Sequence, residues 1–70
     1  MQTIEINREP VELYKILKFE GLVSTGGEAK IVIDEGLVKV NGKVEFRRRN
    51  KIKSGDVIEY NNENYQIILV

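Results

Sequence analysis

Three pieces of punctuation constrain this chain more than anything else in it: Thr25-Gly26-Gly27-Glu28, Gly36 and Asn41-Gly42. Thr25 with Glu28 three residues on is a capping box. The Thr hydroxyl accepts from the Glu28 amide while the Glu side chain reaches back. The helix it starts runs to about Glu35. Helical spacing places Ala29, Val32 and Ile33 on one face, and Lys30, Asp34 and Gly27 on another. Ile31 falls outside the apolar arc. Gly36 is a C-terminal stop. Leu37 to Val40 then reads as a strand, and Asn-Gly is the strongest short-range hairpin signal. In a two-residue hairpin Val40 shares a face with Lys43, so the apolar face does not continue into the return strand through Val44 and Phe46. That strand is expected to be short or irregular, with the residues after it more loop than strand.

The flanks complete the pattern. Thr3 to Ile6 alternates polar and apolar, with Ile4 and Ile6 on one face. After a polar break at Asn7 to Glu9, Pro10 suits the first position of a helix. Its period gathers Leu13, Ile16 and Leu17 on one side with Tyr14 at the edge, and sets Lys15, Lys18 and Val11 opposite. Glu20 falls near the apolar side in the last turn, and Gly21 ends the helix. Ser54-Gly55-Asp56 marks a turn. Val57 to Tyr60 and Tyr65 to Val70 form a terminal hairpin around the polar loop Asn61-Asn62-Glu63-Asn64, and the first strand could pair with its edge. The expected architecture is a single α+β domain spanning 1–70, with two short helices packed on a small antiparallel sheet in the order β-α-α-β-β-β-β.

Composition narrows the chemistry. The 70 residues include no Cys and no His. Disulfides, thiolate metal sites, a histidine base and a cysteine nucleophile are therefore excluded. No catalytic residues, metal site, cofactor or small-molecule substrate are expected. No apolar run approaches a membrane span, and the N-terminus lacks a signal pattern. The expectation is a cytoplasmic monomer with no membrane partner.

Charge is the functional signal. Lys43 to Lys53, KVEFRRRNKIK, holds six basic residues against one acid, Glu45, while the rest of the chain holds five basic and ten acidic residues. If the segment is extended, Arg47, Arg49, Lys51 and Lys53 share a face. Such a row suits a phosphate backbone, because guanidinium groups bind phosphate bidentately and release counterions. The alternative is a charged edge strand that resists aggregation. The pair Gly26-Gly27 also needs a reason, since Gly costs up to about 1 kcal/mol relative to Ala inside a helix. Either the pair lets a phosphate approach the helix amides, or it allows close packing against the first helix. Lys15, Lys18, Lys30 and Lys39 matter if the fold places them beside the arginines. Tyr14, Phe19, Tyr60 and Tyr65 read as core or sheet, with Phe46 the exception because it abuts the arginines. Acid pairs such as Asp34-Glu35 and Glu59 with Glu63 read as solvated surface.

In order and spacing, LKFEGLV, STGGEAKIVIDEG, LVKVNGKV and KIKSGDVIEY make the run from Val11 to Tyr60 resemble a known module. This is the small RNA-binding domain first known from the fourth protein of the small ribosomal subunit (the alpha-L domain). The GGEAK and RRRNKI segments are most similar to its stand-alone bacterial members of the YaaA/YbcJ type. The resemblance implies a basic face, built from the second helix with the adjoining hairpin and loop, that binds structured RNA, often ribosomal or transfer RNA. By position it nominates Ser24, Thr25, Lys30, Lys39, Lys43, Arg47, Arg48, Arg49 and Lys51. Gly26 and Gly27 stand near places where many members carry arginine, which shifts weight to Arg47, Arg48 and Arg49.

The reading that results is a non-enzymatic RNA-binding protein, with Thr25 and the amides of Gly26 and Gly27 as a further anion site. The ribosome or a transfer RNA is the implied partner. The rival is a protein-interaction module whose basic face docks on an acidic partner, for which Ile31 with Phe46 is the candidate apolar patch. The geometric expectation is that Lys30 and Arg47 to Arg49 lie on one continuous surface.

Overall fold

The computed structural model describes all residues, 1–70. In chain order the elements are β1 (Gln2–Ile6), β2 (Val11–Glu12), α1 (Leu13–Phe19), α2 (Gly26–Asp34), β3 (Val38–Val40), β4 (Lys43–Val44), β5 (Lys51–Ile52), β6 (Val57–Tyr60) and β7 (Glu63–Leu69). Five strands form one sheet in the order β1-β7-β6-β3-β4, and β2 pairs with β5 in a separate two-stranded ribbon. The sheet is mixed. β1 does pair with the edge of the terminal hairpin, but it runs parallel to β7, with Ile4 opposite Ile67, whereas the other pairings are antiparallel.

The helix faces follow the sequence period. Leu13, Ile16 and Leu17 of α1 and Ala29, Val32 and Ile33 of α2 are all buried. They join Ile4, Ile6, Val23, Val38, Ile52, Ile58, Tyr65 and Ile67 in one core. Both helices end the same way. The amides of Gly21 and Leu22 donate to the carbonyls of Lys18 and Leu17, and those of Gly36 and Leu37 to Ile33 and Val32. This is the Schellman pattern, in which the glycine takes the left-handed conformation, φ +77° at Gly36.

Three expectations are corrected here. Pro10 is not the first helical residue. Val11 and Glu12 are instead held in an antiparallel bridge with Ile52 and Lys51, and α1 begins at Leu13. The polar loop Asn61 to Asn64 is a two-residue turn. Asn61 and Asn62 both take positive φ, which closes a hairpin of native twist and lets β7 start at Glu63. Phe19 is neither core nor sheet; as the last residue of α1 it points to water.

The hairpin at Asn41-Gly42 is fastened from outside. The Asn41 side chain donates to Asp56 Oδ1 at 3.0 Å and accepts from the Val57 amide at 2.9 Å. The Asn-Gly and Gly-Asp turns therefore hold one another, although Asn41 and Asp56 are 15 positions apart along the chain.

Candidate nucleic-acid interface

The basic run owes its position to the start of α1. A helix leaves its first amides without intrahelical partners, and Glu12, at the N-cap, supplies no side-chain cap. Backbone carbonyls of the basic run do so instead. The Leu13 amide donates to Asn50 at 3.0 Å and the Tyr14 amide to Arg48 at 3.1 Å. The run is not an extended strand. Apart from the two residues of β4 and the two of β5 it is loop, and the Asn50 amide donates back to the Arg47 carbonyl at 3.2 Å in a turn. The proposed row of Arg47, Arg49, Lys51 and Lys53 along one face therefore does not form.

The arginines fan out, each toward a different carboxylate. Arg47 grips Glu45 with Nε at 3.0 Å from Oε2 and NH2 at 3.2 Å from Oε1. Arg48 reaches α2, its NH2 2.8 Å from Asp34 Oδ2. Arg49 turns toward Glu12 at 4.0 Å, where Lys51 at 3.7 Å and Lys15 at 3.3 Å converge as well. Five cations thus share three carboxylates, and the cluster stays positive. Burial pushes the Glu12 carboxyl up, but Lys15, Lys51 and Arg49 outweigh it and hold the group below the ordinary carboxylate range. The Arg47 hydrogen bonds do the same for Glu45.

Tyr14 joins the two walls. Its amide is bound by the carbonyl of Arg48, and Lys30 Nζ lies 5.1 Å from the centre of its ring. Asp34, the Arg48 partner, stands one turn beyond Lys30 on α2. Lys30 and Arg48 are thereby carried on adjoining ground. At the N-terminus of α2, the Thr25 hydroxyl accepts from the Glu28 amide at 3.0 Å, and Glu28 accepts from the Ser24 amide at 2.7 Å. Gly26 and Gly27 have ordinary φ, and a Cβ on either would meet nothing closer than 3.8 Å. Close packing does not explain them. Lys39 and Lys43 sit on β3 and β4, opposite Val44 and Val40 respectively, and neither makes an ion pair, in contrast to the arginines.

The S4 domain family model matches residues 4–68, both terminal strands included. This chain belongs to the S4 domain family. It is 42% identical to YbcJ of Escherichia coli (strain K12) over 69 residues, 97% of this chain and 99% of YbcJ. It is 38% identical over 56 residues, 80% of this chain and 79% of the relative, to a Bacillus subtilis (strain 168) protein named "probable ribosome maturation protein RlbA". The solution structure of YbcJ, described as revealing an alpha-L motif involved in RNA-binding, superposes with a TM-score of 0.72 over 97% of this chain and 87% of YbcJ. The 30S ribosomal protein S4e of Thermoplasma acidophilum, 33% identical, gives 0.71 over 84% of this chain and 31% of its own.

Within this S4 domain the sequence reading missed Glu12, Asp34 and Asn50. Each looks like ordinary polar surface along the chain, Asp34 included. Their roles come from partners 14 to 39 residues away in the pairs Asp34–Arg48, Glu12–Arg49 and Glu12–Lys51, and from the Asn50 carbonyl on Leu13. The one local signal is Glu45, the lone acid inside the basic run. Its side chain accepts from the Arg47 amide and from Asn50 Nδ2 as well as from the guanidinium, which fixes the loop.

Proposed function

We propose that this chain is a non-enzymatic RNA-binding module. It recognises the shape and backbone of folded RNA through a face formed by the start of α2, Lys30, the β3–β4 hairpin lysines and the arginine loop. The observation that carries the reading is Tyr14, whose amide and ring tie the arginine loop to Lys30. Two further facts support it. The Arg48–Asp34 pair is exposed on both sides, and exposed ion pairs contribute little to stability, so a phosphate can replace Asp34 as the Arg48 partner at small cost. The relatives include a protein whose structure is described by an RNA-binding motif and one named for ribosome maturation, which favours ribosomal RNA over transfer RNA. Backbone and shape are the readable features, because the deep A-form groove is closed to side chains.

The test is a titration of structured ribosomal RNA fragments and a transfer RNA at increasing salt. If about six phosphates are engaged, log K falls against log salt with a slope near −4 to −5. Changing Arg47, Arg48 and Arg49 together to Glu abolishes this binding. Affinity that is flat in salt, or that survives the triple reversal, refutes the assignment.

A further inference from the structure

Phe46 is left unexplained by a purely phosphate-binding face. The residue is 60% exposed, yet the chain around it is fastened on both sides. Before it, the Glu45 amide donates to the Val38 carbonyl at 2.9 Å. After it, the Arg47 amide donates to Glu45 Oε2 at 3.0 Å, and Asn50 Nδ2 to Oε1 at 2.8 Å. The ring rests against the backbone of Gly36. A Cβ there would stand 3.3 Å from Cε1 and 3.5 Å from Cζ, so a side chain at 36 would push the ring away. An aromatic held this firmly and left in water is presented rather than stored.

We infer that Phe46 is a stacking platform for one unpaired nucleobase of the bound RNA. The inference rests on the RNA-binding reading above and adds the kind of RNA feature recognised. Charge selects the occupant. Lys39 shares a sheet face with Val44 through the β3–β4 pairing, and a Cβ at Gly36 would also stand 3.6 Å from Val44 Cγ1. Lys43 precedes the ring in the chain and Arg47 follows it, while the nearest acid in sequence, Glu45, is occupied by Arg47 and Asn50. A base on the ring would carry its flanking phosphates toward these cations. The partly exposed Val44 and Leu37 add apolar rim, but an apolar protein surface would have to bury the cations Lys39 and Lys43, which have no ion-pair partner. The base must be unpaired, since the faces of a paired base are taken up within the helix. Phe19, the other exposed aromatic, is less positively surrounded. It lines a cleft in which Glu5 and Glu20 offset Arg8 and Lys15, which leaves Lys18, 5.7 Å from the ring centre, as its local excess of positive charge.

The probes are three hairpin RNAs: one with a single 2-aminopurine bulge, one with an abasic residue at the bulge, and one fully paired. Fluorescence anisotropy gives affinity, and 2-aminopurine emission reports stacking. The bulged hairpin is expected to bind the most tightly, with its emission quenched. Phe46→Ala removes the quenching and weakens that complex by roughly fivefold to a hundredfold, the span of one lost base stack. Phe46→Trp preserves both, and Phe46→Leu preserves neither. Because the ring lies outside the core, the melting temperatures of these variants should match that of the parent chain.

Equal binding of the abasic and 2-aminopurine bulges overturns the proposal, since a bend rather than a base would then be read. So does a Phe46→Leu variant as good as Phe46→Trp. If Phe46→Ala binds all three RNAs as the parent does while losing a protein captured from lysate, the ring is a protein-docking residue. Salt-dependent binding that is indifferent to the bulge sinks the platform alone; absence of salt-dependent binding to any structured RNA sinks the function beneath it.

Discussion

Replacing both Gly26 and Gly27 with Ala separates stability from function at the start of α2. Neither glycine has positive φ. The nearest atom to a Cβ at 26 is Lys18 Cδ at 4.0 Å, and at 27 Thr25 Oγ1 at 3.8 Å. Both are ordinary contacts, so the methyl groups fit without displacement. Ala exceeds Gly by up to about 1 kcal/mol in a helix interior, partly through a less flexible unfolded chain. In the first turn about half of that is a fair share, giving about 1 kcal/mol of added stability for the pair. In a domain of this size such a gain raises Tm by about 4–8 °C, read by circular dichroism melting at neutral pH. The same variant should bind structured RNA more weakly, because the added methyls crowd amides that otherwise face a phosphate. A lower Tm would refute the packing argument. A raised Tm with undiminished RNA affinity would refute the anion site at these glycines.

Asp34→Asn removes the carboxylate that competes for Arg48, so RNA binding should tighten and the salt slope steepen by about one; an unchanged slope in the same titration contradicts the shared surface. Glu12 and Glu45 are both depressed below an ordinary value near 4.5. The unfolded chain therefore binds protons more readily, and their contribution is present above that value and lost as pH falls through the folded pKa. Tm should hold steady down to about pH 4.5 and drop below it, with a shallower drop in Glu12→Gln. Ile33 of α2 is fully buried in the core, so Ile33→Ala should cost about 2–5 kcal/mol, seen as a lower urea midpoint at constant m-value; a change under 1 kcal/mol would mean that the core closes over the gap.

Several elements were legible along the chain because their causes are local. The capping box at Thr25 and the glycine stops act within about six residues, and so does the period that buries Leu13, Ile16, Leu17, Ala29, Val32 and Ile33. The Asn61-Asn62 turn was local too, but a run of four polar residues hid it. Glu63 and Asn64 look like loop in the sequence. Both stay exposed as the first residues of β7, where Glu63 pairs with Tyr60 and Asn64 with Glu59.

Other features depended on residues that meet only after folding. The parallel pairing of β1 with β7 joins the two ends of the chain, and no spacing rule sets its direction. The bridge between Val11–Glu12 and Lys51–Ile52 overrode the helix signal at Pro10, because pairing two strands outweighs one favourable position. By itself the sequence determined that two amphipathic helices and a set of tight turns would form, and that six cations would crowd into 11 residues. The tertiary structure decided where those cations point. The first amides of α1 need acceptors, the carbonyls of Arg48 and Asn50 supply them, and satisfying those two hydrogen bonds fixes the arginine loop against α1, where Arg48 meets Asp34 of α2.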